Sequence, residues 1–209
     1  MATRGTADRP GPERLLTFVD AVVAIALTLL VLPLVDLVPE AVRAHEAAAD
    51  IVRDNLPAFG SFLLSFAVIA RFWLAHHELS RFARTASGSL VRWNMLWLLT
   101  VVLLPFVTQL VGSYPARGLV AQTYVGLLLV AAVCTAAMVL EIRRVDAPTS
   151  AAWPRLVRAT LENLGLQAVA FVAVLAAPSL GYWPLVLLAL QDVVDAVFQR
   201  RRGPRETTA

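Results

Sequence analysis

Lysine is absent from this chain: all 18 basic residues are arginine. That reads as a coding bias and carries no functional signal. Charge of either sign is scarce. Charged residues fill 16% of the 209 positions and hydrophobic ones 58%, where an average soluble domain carries about 25% charge. The shortage excludes a soluble globular domain of ordinary composition. The single cysteine, Cys134, excludes an intrachain disulfide and leaves the redox compartment open. Low-complexity segments and internal repeats are also missing. So are a nucleophile–base pairing, a phosphate-cradling loop and a nucleic-acid-binding signature. Neither an enzyme, nor a resident cofactor, nor a nucleic-acid partner is expected.

What the chain does have is apolar length. Runs of about 20 residues cross a hydrocarbon core of about 30 Å, and such runs recur. The expected spans are 14–35, 57–80, 92–112, 118–140, 161–177 and 183–199. The last two share a stretch from Asn163 to Gln191 without a charge; Pro178, Gly181 and Pro184 mark a turn inside it. Residues 1–12 and 203–209 read as disordered tails around a membrane domain of 13–202. The first apolar run is too long for a signal peptide, and no small-residue cleavage site follows it. The acidic, alanine-rich stretch from Asp36 to Asn55 suggests a short surface helix.

The arginines support six crossings. The N-terminal tail holds Arg4, Arg9 and Arg14; the second and fourth connections hold Arg81, Arg84, Arg92, Arg143, Arg144, Arg155 and Arg158; the C-terminal tail holds Arg200, Arg201, Arg202 and Arg205. The other loops hold only Arg43, Arg53 and Arg117. By the positive-inside bias, both termini are cytoplasmic. The fold class expected is an all-α membrane protein with six transmembrane helices per subunit, surrounded by membrane lipid.

Ionisable residues inside such spans are expensive and have partners. Asp20 follows Arg14 by six residues, about 9 Å along a helix, and sits in the cytoplasmic half of the first span. Trp73, His76 and His77 fall at i, i+3 and i+4 of the second span and share a face; Asn94 opens the third. These residues occupy similar depths. They read as one buried polar network of Arg14, Asp20, Trp73, His76, His77 and Asn94. A metal site is disfavoured. Adjacent helical residues diverge by about 100°, so His76 and His77 do not aim at one ion, and His45 lies on the opposite side. The network has a structural reading and a second one as a gating or proton-sensing device, since histidine titrates near neutral pH. Arg71, on another face, pairs with an acid or snorkels. Asp192 and Asp195 fall near the cytoplasmic end of the sixth span, close to Arg200.

A family resemblance adds to this. Arg14, Phe18, Asp20, Ala21, Val22, Ala24, Ile25, Thr28 and the run Leu29–Leu32 resemble the first-span signature of the transmembrane protein 175 family, the lysosomal and prokaryotic potassium channels. The resemblance continues through Ser65-Phe66, Trp73 with His76-His77, Asn94, and Leu104-Pro105-Phe106 with Thr108. It covers roughly residues 14–110. One departure stands out: the family's Phe-Ser-Asp is Phe18-Val19-Asp20 here, so the serine's hydrogen bond is missing or replaced, with Thr17 as the neighbouring hydroxyl. The resemblance implies a multi-pass protein of a prokaryotic plasma membrane, a homotetramer whose pore is lined by the first helix of each subunit, with potassium as the permeant ion. It also implies a hydrophobic constriction on that helix in place of the Thr-Val-Gly-Tyr-Gly carbonyl filter, which this chain lacks, and a threonine layer tied to potassium preference. Ile25, Leu29 and Leu32 would form the constriction and Thr28 the threonine layer.

Helix geometry is compatible with that assignment. With Ile25 at zero and about 100° per residue, Ala21, Thr28, Leu29 and Leu32 all fall within about 60° of it, whereas Asp20 falls at about −140° and Leu27 at about 200°. Asp20 then orients the helix and is not an ion ligand. Periodicity alone favours ordinary core or lipid-facing roles for these apolar residues. The other readings of the whole chain are a secondary transporter, which would want broken helices around a midplane site, and a non-conducting membrane protein with a structural Asp/His/Asn network.

Overall fold

The computed structural model describes residues 11–45, 47–114 and 118–177. Among them the chain is helical throughout: α1 (Pro12–Leu29), α2 (Leu32–Ala44), α3 (Ala48–Asp54), α4 (Leu56–Ser80), α5 (Gly88–Ser113), α6 (Leu119–Asp146) and α7 (Trp153–Ala176). Proline sits in the first turn of α1, α4 and α7, where its missing N–H is one that has no helical partner anyway. Helix α5 opens on Ser87, whose Oγ accepts the Leu90 N–H at 3.1 Å. The same hydroxyl donates to Glu141 Oε1 of α6 at 2.7 Å. Asp146, at the end of α6, accepts the backbone N–H groups of Arg84 and Thr85 at 2.9 and 3.3 Å. The α4–α5 turn is thereby pinned to the end of α6.

Five helical stretches are long and apolar enough to cross a membrane: Pro12–Ala44, Leu56–Ser80, Gly88–Ser113, Leu119–Asp146 and Trp153–Ala176. The sixth expected span, 183–199, lies outside the described residues. So do the 178–184 turn, Asp192, Asp195, Arg200 and most of the N-terminal tail. The fifth span, expected from residue 161, belongs to a helix that starts at Trp153. Its first two turns carry Arg155 and Arg158, which the apolar run alone does not include.

The first span is not one regular helix. α1 stops at Leu29, and α2 resumes at Leu32. The cause is Pro33: it offers no N–H to the Leu29 carbonyl, and its ring crowds the preceding turn. Val31 N–H instead reaches back to the Thr28 carbonyl at 3.4 Å, a tighter turn. The stretch expected to hold one surface helix holds the end of α2 and all of α3. Between them His45 takes a left-handed conformation at φ 58°, which ends α2 as a C-terminal cap.

Helix α5 is the centre of the bundle. It packs against α1, α4 and α6, and α7 packs on α6. In a bilayer, lipid tails are as apolar as a protein core, so close approach and polar bonds hold helices together. Gly126 of α6 allows such an approach: a Cβ there would lie 3.1 Å from the Phe171 ring of α7. A buried hydroxyl cluster joins α4, α5 and α6. Thr108 Oγ1 lies 2.7 Å from both Ser65 Oγ and the Leu104 carbonyl, and Ser65 Oγ lies 3.1 Å from Tyr124 OH. The Thr108 hydroxyl is the donor in both of its contacts, its one proton shared between Ser65 Oγ and the Leu104 carbonyl.

Candidate functional site

One face of α1 faces its own subunit. Val19, Val23, Ala26 and Leu30 are at most 2% exposed and recur at i, i+4, i+7 and i+11, which is one helical stripe. They join Ile69 of α4 and Val101 and Leu104 of α5 in the main apolar cluster. The opposite face is open in a single subunit. Ile25 is 59% exposed and Leu29 40%; Ala21 and Thr28 are exposed beside them. Leu27 is half-buried and packs on the cluster. Leu32 is exposed as well, but it belongs to α2. A wheel drawn through the Leu30–Val31 break does not fix its direction. The Thr28 hydroxyl donates to the Ile25 carbonyl at 2.7 Å, so its oxygen keeps lone pairs for a second contact.

Asp20 sits between the two faces, half-buried. Its Oδ1 accepts the indole N–H of Trp73 at 2.8 Å, which ties α1 to α4. The histidines part company, as their spacing requires. The His76 ring is buried and stacks on Trp97 of α5, centroids 4.5 Å apart. Its Nε2 lies 2.7 Å from Asn94 Oδ1, and Asn94 Nδ2 donates to the Leu90 carbonyl at 2.9 Å. Asn94 Oδ1 has no proton, so His76 Nε2 must donate; the Ser80 hydroxyl donates to the His76 carbonyl at 2.8 Å and lies 3.3 Å from His76 Nδ1. The His77 ring tilts against Trp73 at 5.6 Å, and its buried Nδ1 has no hydrogen-bond partner among the described residues. The single expected network is therefore two adjacent pairs, Asp20–Trp73 and His76–Asn94, on successive turns of α4. A cavity of about 310 Å³ opens beside the second pair, with His76, Ser80, Asn94 and Leu16 in its wall.

The remaining expected residues fall as follows. Arg14 is exposed and, among the described residues, makes no side-chain bond to the network. Thr17 donates to the Glu13 carbonyl of its own helix at 2.9 Å, so it does not stand in for the serine that Val19 replaces; Val19 lies in the core with no exposure. Arg71 donates to Asn163 Oδ1 of α7 at 2.9 Å, which ties α4 to α7. The hydroxyl cluster was not read from the sequence. Its signal was available in Ser65, Thr108 and Tyr124, three hydroxyls in otherwise apolar spans.

The His76–Asn94 pair carries a stability prediction. Asn94→Leu leaves the His76 N–H buried without its acceptor, which costs on the order of 1–3 kcal/mol. Thermal unfolding in detergent is expected to shift down, and an unchanged midpoint would show that the pair contributes nothing.

Residues 14–105 match the model of the family described as endosomal/lysosomal potassium channel TMEM175. A potassium channel of Chamaesiphon minutus is 32% identical over 123 residues, 57% of this chain and 60% of that protein. One of Chryseobacterium sp. (strain P1-3) is 32% identical over 117 residues, 56% and 57% of the two chains. The chain thus spans less than two thirds of either of these relatives in the matched stretch. A potassium channel of Streptomyces collinus is 28% identical over 177 residues, 79% of this chain and 84% of that one. Among solved structures, the crystal structure of a lysosomal potassium-selective channel TMEM175 homolog from Chamaesiphon minutus superposes with a TM-score of 0.73 at 25% identity, covering 88% of this chain and 97% of that one. The chain is thus similar to the TMEM175 family in sequence over residues 14–105, the stretch that carries Asp20, Trp73, His76 and Asn94, and in fold over most of its length.

Proposed function

We propose that this protein is a potassium-selective channel of the cell membrane, assembled as a homotetramer with α1 of each subunit lining the pore and both termini in the cytoplasm. The observation that supports it best is the open face of α1. Ala21, Ile25, Thr28 and Leu29 lie opposite the stripe that packs into the subunit, on the first helix of the stretch that matches the family model. Exposure alone would fit a lipid-facing surface too, as on α5, where Leu99 and Phe106 are exposed; what supports the pore-facing reading of α1 is the resemblance of its own residues, Asp20, Ala21, Ile25 and Thr28 among them, to the family's first-span signature. In this reading Ile25, with Leu29 and Leu32 beyond it, forms an aliphatic neck that offers an ion nothing in exchange for its water and blocks by dewetting. Thr28 supplies a ring of hydroxyls beside the neck. Asp20, held by Trp73, fixes the rotation of α1, and the His76–Asn94 pair holds α4 against α5.

One chain cannot enclose a pore with a single lining helix, so copies must meet around an axis through head-to-tail contacts. Light scattering in detergent is expected to give a tetramer, and reconstituted protein a potassium current larger than the sodium current. A stable, well-folded monomer would remove the channel reading; a tetramer that moves ions only at transporter turnover would remove the pore.

A further inference from the structure

The helix directions gather arginine at one end of the bundle. The start of α1, the end of α4, the start of α5, the end of α6 and the start of α7 all lie there. They carry Arg14, Arg81, Arg84, Arg92, Arg143, Arg144, Arg155 and Arg158; the described part of the other end carries Arg43 and Arg53. At the arginine-rich end, a cleft of about 650 Å³ opens between the end of α6 and the start of α7. Its floor is apolar, with Pro148, Trp153, Val157 and Leu161; its rim holds Arg143 and Arg158. The Trp153 ring is fixed by an edge contact to Phe82, centroids 5.3 Å apart, so the floor is tied to the α4–α5 turn.

We propose that this cleft binds an anionic phospholipid of the cytoplasmic leaflet, with the phosphate at Arg143 and Arg158 and the upper acyl chains along Val157 and Leu161. The shape of the chemistry supports this occupant. A lipid is apolar on one side and anionic on the other, and the cleft presents the matching pair of surfaces at the depth where α7 leaves the apolar core. Basic pockets between helices at the cytoplasmic face attract anionic headgroups in this way. Glu162 shares the rim and pairs with Arg158, Nε to Oε1 at 2.7 Å. Both groups are well exposed, so the pair is weak and leaves the guanidinium's other nitrogens to donate to a phosphate. Arg143, on the facing helix, supplies the charge that Glu162 does not cancel. The site needs a membrane but no conduction, so it stands or falls separately from the channel reading.

The test is native mass spectrometry of the full chain, purified in mild detergent and supplied with equal phosphatidylglycerol and phosphatidylethanolamine. Phosphatidylglycerol is expected to be retained preferentially. The Arg143→Gln/Arg158→Gln double variant is expected to lose that preference by about thirtyfold, in line with the attraction of two basic residues for an anionic surface. The Arg143→Lys/Arg158→Lys variant is expected to keep most of it, and Arg43→Gln/Arg53→Gln, at the other end, to keep all of it. Equal retention of both lipids overturns the proposal. So does phosphatidylglycerol that stays on the double Gln variant, or inorganic phosphate that displaces it at equal concentration, since the cleft would then hold the ion and not the lipid.

Discussion

Ile25→Ala is expected to raise single-channel conductance and to draw the potassium-to-sodium permeability ratio toward unity. The side chain projects from the face of α1 that its own subunit leaves open. In a fourfold assembly the substitution widens the aliphatic ring at four points at once. The barrier in such a neck is the cost of holding an ion where neither water nor polar ligand surrounds it. A drop of about 1.4 kcal/mol in that barrier is about tenfold in rate, and the rise should be of that order. Thr28→Ala separates the two properties. It removes a hydroxyl that keeps lone pairs while bonded to the Ile25 carbonyl, so potassium preference should fall more than current changes. Leu27 is the control: it packs on the subunit's apolar cluster, and Leu27→Ala should lower stability by about 2–5 kcal/mol at most, as buried leucines do, with little change in permeation. Matched recordings in potassium and sodium decide it. If Leu27→Ala alters conductance and Ile25→Ala does not, the pore lies on the other side of α1.

Asp20→Ala should weaken the protein without touching ion choice. The variant strands the Trp73 indole N–H, which now donates to Asp20 Oδ1 at 2.8 Å. Both groups are half-buried, so the expected loss is that of a hydrogen bond to a charged group, about 1.5–3 kcal/mol, less than for a fully buried ion pair. Thermal melts and the tetramer fraction should both fall. Asp20→Asn keeps an acceptor and should recover part of the loss; Trp73→Phe removes the donor and should resemble Asp20→Ala, with Asp20→Ala/Trp73→Phe less than additive. Normal assembly of Asp20→Ala with altered selectivity would place Asp20 in the conduction path.

Span length, the arginine alternation and the presence of costly polar groups were legible from composition and order alone, because the bilayer imposes them on each segment separately. A helix must be about 20 apolar residues long wherever it sits, and a carboxylate such as Asp20 needs a partner wherever it sits. The depth match among Asp20, Trp73 and Asn94 could also be read, since each span's direction fixes depth. Which partner each group takes could not. Trp73, His76 and His77 share a helical face, yet Trp73 turns to α1, His76 to α5, and His77 packs on Trp73. Those choices depend on how α4 is rotated against two neighbours at once. The same holds for Arg71, which meets Asn163 across a separation of 92 residues, and for the hydroxyl cluster that joins three helices. The Leu30–Val31 break lies between these cases. Pro33 announces it locally, but only the folded chain shows that the helix stops there rather than bending through. Above all, nearly every position of the first span is apolar, so its sequence cannot say which side faces the core. That was decided by the packing of Val19, Val23, Ala26 and Leu30 against α4 and α5, because in a membrane the inside and outside of a subunit are equally greasy and only neighbouring helices tell them apart.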